Sequence, residues 1–147
     1  MLVRDVMTES VVVADPQCSV REIAELMRDH GVGSVVVVER GRPVGFITDR
    51  DLAICVVAEG REYSDTVYDH ASSPVIKVYP DTEVDEAAHL MIRQGVRRLV
   101  VVEAGFLVGL ITLDDLASRL TDADLSARLS ARITRASMPA PRQAAVN

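Results

Sequence analysis

Apolar positions along the chain change period several times, and each change marks an element. Val11-Val12-Val13 is a β-branched run suited to a brief strand, closed by Pro16. Val20, Ile23, Ala24 and Met27 then fall at i, i+3, i+4 and i+7, the stripe of a core-facing helix. Ser19 and Glu22 stand at capping-box spacing before it, and Gly31 ends it. Val35 to Val38 is an unbroken apolar run, as in a strand covered on both faces. Glu39 to Pro43 supplies a turn, Val44 to Thr48 the next strand, and Asp49 to Ala58, rich in Leu52, Ile54, Val56 and Val57, a helix. The same order then returns. A strand near Val75-Ile76 precedes a helix from Thr82-Glu83-Val84-Asp85 to Arg93, a strand from Leu99 to Val102 and a turn at Ala104-Gly105. A strand from Val108 to Thr112 and a helix from Leu113 to Leu120 complete it.

The return is a repeat in sequence as well as in pattern. Gly45-Phe46-Ile47-Thr48-Asp49-Arg50-Asp51-Leu52 comes back as Gly109-Leu110-Ile111-Thr112-Leu113-Asp114-Asp115-Leu116, an offset of 64 residues. Pro16 and Pro80, Gly31 and Gly95, and Val36 to Glu39 and Val100 to Glu103 keep that offset without a gap. The chain is therefore expected to be α/β (α+β), with two tandem β-α-β-β-α units over 1–60 and 61–121. Three short strands and two helices do not readily cover their own sheet. The halves are accordingly expected to pack sheet edge to sheet edge about a pseudo-twofold axis, with clefts between them. Beyond Asp122, Leu125, Leu129 and Ile133 at fourfold spacing mark a thin amphipathic helix carrying Arg128, Arg132 and Arg135 on other faces. Residues 122–147 are thus expected to form a docked helical arm and a frayed tail from Met138. Packing on its own module, on a second copy or on another protein all remain open for this arm.

Composition narrows the function. With 147 residues, 48% of them hydrophobic, the chain can bury a proper core. A formal charge of −6 argues against a sequence-independent grip on nucleic acid or an anionic membrane, so an anionic ligand would need local positive groups. Cys18 and Cys55 occupy unmatched positions of the two units and imply neither a disulfide framework nor a metal cluster. His30, His70 and His89 are scattered and read as ordinary helix-end or surface histidines, and the methionines as packing residues. The start of the sequence shows no basic region followed by an apolar run, so a cytoplasmic location is expected. No nucleophile, base and orienting acid stand in a recognisable arrangement.

The repeated phrase carries the candidate chemistry. Each copy reads as a strand running straight into a helix N-terminus, with Thr48 and Asp51, or Thr112 and Asp115, at capping-box spacing. One reading is that these residues only tie off helix ends. The other is that helix N–H groups offer themselves to a phosphate while a carboxylate accepts from neighbouring sugar hydroxyls.

The tandem repeat, its element order and both Gly-x-Ile-Thr-x-x-Asp phrases resemble paired CBS domains, the Bateman module, over about residues 1 to 120. The resemblance implies a regulatory module that binds AMP, ADP or ATP between the repeats and requires no cofactor. By that resemblance Thr48 and Asp51 would share a cleft with Val75, Ile76, Arg97 and Arg98. Thr112 and Asp115 would share the other with Val11, Val12, Gly33 and Ser34. Arg50, Arg97 and Arg98 gather at the first, where guanidinium groups suit phosphate oxygens. Asp114, Gly33 and Ser34 take their places at the second, so the first cleft is expected to hold the nucleotide more tightly. With few aromatic residues, aliphatic Val and Ile would sandwich the base. The apolar faces of the helices from Asp49 and Leu113 point to a homodimer. A nucleotide-free scaffold is the alternative from another class, and a hydrolase using Asp51 or Asp115 as base is a third.

Overall fold

The structure is a computed structural model, and it describes residues 1–117, 119, 120, 123, 125, 127–129 and 131. Strand β1 (Val13–Ala14) leads to helix α1 (Val20–His30), strands β2 (Ser34–Glu39) and β3 (Arg42–Thr48), and a single helical turn α2 (Asp49–Asp51). That turn passes directly into a π-helical segment, Leu52–Ala58, where the helix expected from Asp49 widens. The second unit repeats the order with β4 (Lys77–Val78), α3 (Val84–Gln94), β5 (Arg98–Glu103), β6 (Phe106–Thr112) and α4 (Leu113–Ala117). Each unit makes one three-stranded sheet, parallel between its first two strands and antiparallel between the last two.

Local chemistry explains the ends of the long helices. The Ser19 hydroxyl accepts from Glu22 N at 3.1 Å, so Ser19 caps α1, although the reciprocal half of the expected capping box is not made. Gly31 and Gly95 close α1 and α3 at φ of 63° and 64°, a conformation that a Cβ would strain. The first strands begin later than the apolar runs suggested. Val12 and Ile76 only accept, from Val36 N and Val100 N, and regular pairing starts at Val13 and Lys77.

The two sheets meet face to face, which corrects the expected edge-to-edge packing. In β2, Val35 and Val37 turn into the first unit's own core with Ile23, Met27 and Ile47, while Val36 turns the other way. Val36 packs against Val100 and Val102 in a midline cluster joined by Phe46, Val75, Val11 and Leu110. An all-apolar strand is needed because both of its faces are covered.

The lead-ins to the two units are exchanged. Val3 N donates to Thr82 O at 2.8 Å and Arg4 N to Pro80 O at 2.9 Å, tying the start of the chain to the second unit. The mirror bonds run from Val67 N to Cys18 O at 2.7 Å and from Tyr68 N to Pro16 O at 3.3 Å, tying the second lead-in to the first unit. Val3 is fully buried in the second core and Val67 in the first. Thr8 pairs with Leu110 and Ser72 with Phe46, so each lead-in also adds a residue to the edge of the other sheet. The repeated glycines stand beneath these crossings. A Cβ on Gly45 would lie 3.0 Å from the Ala71 Cβ, and one on Gly109 would lie 2.7 Å from the Met7 sulfur.

Of the C-terminal arm, the described residues between 123 and 131 are helical, and Leu125 and Leu129 are buried in the second unit's core. The arm therefore docks on its own module at these two residues. Ile133, Arg132, Arg135 and the expected tail lie outside the described residues.

Candidate functional site

A cavity of about 470 Å³ opens at the midline, a size that suits a small-molecule ligand. The end of β3 and the turn that follows give it Thr48, Arg50 and Asp51. The second unit gives it Val75, Ile76, Arg97 and Arg98. These seven residues, expected in one cleft, line one cavity. The structure adds Phe46, Asp49, Ser72, Pro74, Val96 and Val100. Phe46 was legible in principle, since it lies two residues before Thr48 on the same face of a strand. Ser72 and Pro74 were not, because the crossing of the second lead-in brings them there.

Both repeated phrases form complete capping boxes. Thr48 N donates to Asp51 Oδ2 at 2.8 Å, and Asp51 N returns to Thr48 Oγ1 at 3.1 Å. Thr112 and Asp115 make the same pair of bonds at 2.8 and 3.2 Å. At the second box the Thr112 hydroxyl also donates to Asp115 Oδ2 at 2.8 Å.

The turn's N–H groups are occupied as well. Asp49 N donates to Gly33 O at 3.0 Å, Arg50 N to Asp49 Oδ1 at 2.8 Å, and Leu52 N to Asp49 O. The helix N-terminus therefore has no spare donors for a phosphate, contrary to the sharper of the two readings of the phrase.

The positive charge in the cavity comes from side chains instead. The guanidinium groups of Arg50, Arg97 and Arg98 make no hydrogen bond or ion pair among the described residues, whereas Arg21, Arg28 and Arg61 each hold a carboxylate. Arg50 from the first unit and Arg97 and Arg98 from the second give this cavity a local excess of positive charge over Asp49 and Asp51, in a chain with net charge −6. Asp51 spends Oδ2 on its cap, has Oδ1 as a further acceptor, and lines the same cavity. Val75, Ile76, Val96, Val100 and Phe46 give an apolar surface without a broad aromatic platform.

The residues expected at the second cleft hold the positions in their unit that their repeat counterparts hold in the other. Val11 packs in the midline cluster near Leu110, and Ser34 pairs in register with Thr48, as Arg98 does with Thr112. Val12 lies against the first core. A Cβ on Gly33 would lie 3.3 Å from Asp49 Oδ2 and 3.5 Å from Arg98 Nη2, so the bare glycine leaves room for groups that line the first cavity.

Elsewhere, His70 is a helix-end histidine, directly after the 3-10 turn Val67–Asp69, with a definite partner. Its side chain is only 8% exposed and its Nε2 lies 2.9 Å from Asp65 Oδ2, the oxygen that also takes Arg61 Nε at 3.1 Å. The His70 bond, then that of Arg61, holds the Asp65 carboxyl below the usual carboxylate range. A depressed carboxylate pKa stabilises the fold above the unfolded-state value, and this contribution is lost as the pH falls through the folded-state value. Asp65→Asn should therefore lower the urea midpoint at neutral pH and flatten its decline below about pH 4. Urea titrations at a series of pH values check this. Burial pushes the Cys18 thiol up, so it stays protonated at neutral pH.

The family model for the CBS domain matches this chain twice, over residues 3–58 and 67–122. The chain belongs to the CBS domain family. An uncharacterised protein of Methanopyrus kandleri is 44% identical over 117 residues, which are 78% of this chain and 60% of that protein. The match thus spans less than two thirds of that relative's length. The CBS domain-containing protein YhcV of Bacillus subtilis is 37% identical over 78% of this chain and 82% of its own. Among solved structures, a CBS domain protein of Pyrobaculum aerophilum complexed with AMP superposes with a TM-score of 0.74 at 27% identity, covering 89% of this chain and 99% of that one. The CBS domain pair of protein MJ0100, in complex with 5′-methylthioadenosine and S-adenosyl-L-methionine, gives 0.73 at 26% identity over 80% and 98%. In those two proteins the CBS pair takes adenosine-type ligands.

Proposed function

We propose that this CBS pair is a non-catalytic regulatory module whose midline cavity takes an adenine nucleotide, AMP, ADP or ATP. Three unpaired guanidinium groups facing one cavity carry the reading. Arg50, Arg97 and Arg98 hold the phosphate, Asp51 Oδ1 accepts from the ribose hydroxyls beside the Thr48 hydroxyl, and Val75 and Ile76 pack against the base. Thr112 and Asp115 mark a second, weaker cleft, where Asp114 stands in place of Arg50 and Gly33 and Ser34 in place of Arg97 and Arg98. Occupancy alters the pairing of the module with its partner, a second copy of the chain.

Both capping boxes are complete without a ligand, and this favours a second reading, a scaffold that binds no nucleotide. Thermal unfolding with adenosine, AMP, ATP and S-adenosylmethionine in turn separates the two. A nucleotide at a hundred times its dissociation constant adds about 2.7 kcal/mol of stability. The proposal expects AMP or ATP to stabilise well beyond adenosine, because the guanidinium groups read phosphate. No shift with any of the four selects the scaffold.

A further inference from the structure

Asp49 is a carboxylate that the fold does not require. Thr48 and Asp51 close the capping box at this turn, and the second unit closes the same box with Leu113 in the matching position. The turn can therefore form without an acid at position 49, yet Asp49 lines the cavity beside Arg50 and Arg98. One of its oxygens, Oδ1, takes the Arg50 N–H at 2.8 Å, which holds the carboxylate in place. The other, Oδ2, makes no hydrogen bond or ion pair among the described residues. A Cβ built on Gly33 would lie 3.3 Å from this oxygen and 3.5 Å from Arg98 Nη2. The bare glycine thus leaves a niche that an acid and a base flank from two sides without closing on each other.

Resting on the nucleotide reading proposed above, we infer that Asp49 selects by phosphate number, so that the cavity takes the monophosphate AMP in preference to ADP and ATP. The three guanidinium groups and two carboxylates that line the cavity leave it one net positive charge. A phosphate monoester carries about −1.5 to −2 near pH 7, which that charge goes most of the way to neutralising. Each further phosphate adds negative charge and finds no further cation among the described lining residues. A longer phosphate chain that reaches Arg98 through the niche also meets Asp49 Oδ2, and like charges at such range repel strongly. Asp49 therefore opposes a triphosphate more than a monophosphate, and an uncharged nucleoside not at all. At the matching position of the second unit, Leu113 brings no charge and exerts no such selection.

Calorimetric titration of adenosine, AMP, ADP and ATP, in buffer free of divalent cations, into the wild type, Asp49→Asn and Asp49→Leu tests this. Asn keeps an acceptor for the Arg50 N–H, and Leu is the residue that the second unit carries. Asp49 is exposed, so both variants lose the charge and keep the fold, which thermal melts of the free proteins check. The wild type is expected to bind AMP about tenfold more tightly than ATP, with ADP between them. Both variants should narrow that gap to about threefold or less, tightening ATP the most and leaving adenosine unchanged. A wild type that binds ATP as tightly as AMP, a gap that neither variant narrows, or a shift as large for adenosine as for ATP overturns the role of Asp49 and leaves the nucleotide reading standing. A wild type that binds none of the four overturns the nucleotide reading and the role of Asp49 with it.

Discussion

Replacing Val3 with aspartate should destabilise the entire protein by on the order of 4 kcal/mol, although Val3 lies in the lead-in to the first repeat. Its side chain is fully buried among Val78, Val84 and Leu99 of the second repeat, where a carboxylate would find no partner. The first repeat in turn closes its core with Val67 from the second lead-in. Neither core is complete without the other half, so the loss should propagate through the midline cluster and appear as one cooperative transition. Urea unfolding followed by far-UV circular dichroism checks this. The expected result is a single transition moved to lower denaturant, with Val67→Asp behaving alike. Two separated transitions, with one repeat surviving intact, would show that the exchange of lead-ins does not couple the halves.

That exchange is the feature the sequence did not display. The repeat itself was legible, because a constant offset of 64 residues over paired Pro, Gly and Thr positions leaves one interpretation. The two-faced burial of β2 was legible too, since Val35 to Val38 admits no solvent face. A lead-in such as Val3 to Met7 has no such signal. It is too short for a period, and its backbone bonds to Thr82 and Pro80 depend on where the rest of the chain goes. The same limit explains the packing of the halves, read as edge to edge and found face to face. A strand apolar on both sides announces that something covers it, not what.

At the cavity, the residue types were legible and their bonding was not. Thr48, Arg50, Asp51, Val75, Ile76, Arg97 and Arg98 come together in the structure, but their pairing across halves came from resemblance, not spacing. Sequence left open whether the helix N–H groups are free for phosphate. The bonds of Arg50 N to Asp49 Oδ1 and of Asp51 N to Thr48 Oγ1 answer that they are not, and move the task of holding an anion to the arginines.

Asp51→Ala should abolish tight nucleotide binding, and Asp115→Ala should not. The two substitutions remove the capping carboxylate from the two boxes, Asp115 with an extra bond from the Thr112 hydroxyl, so each should cost about 0.5–2 kcal/mol of stability and Asp115→Ala the more. Any difference between them in affinity then reports the ligand and not the cap. Only Asp51 shares its cavity with Arg50, Arg97 and Arg98. Losing a charged acceptor for sugar hydroxyls there removes about 1.5–3 kcal/mol of binding, roughly ten- to a hundredfold in affinity.

The measurement that bears most directly on this account is calorimetric titration of AMP into the wild type, Asp51→Ala and Asp115→Ala side by side. One tight site per chain in the wild type, retained in Asp115→Ala and lost in Asp51→Ala, is the predicted result. Two equal sites in the wild type, or AMP affinity untouched by Asp51→Ala, would contradict it.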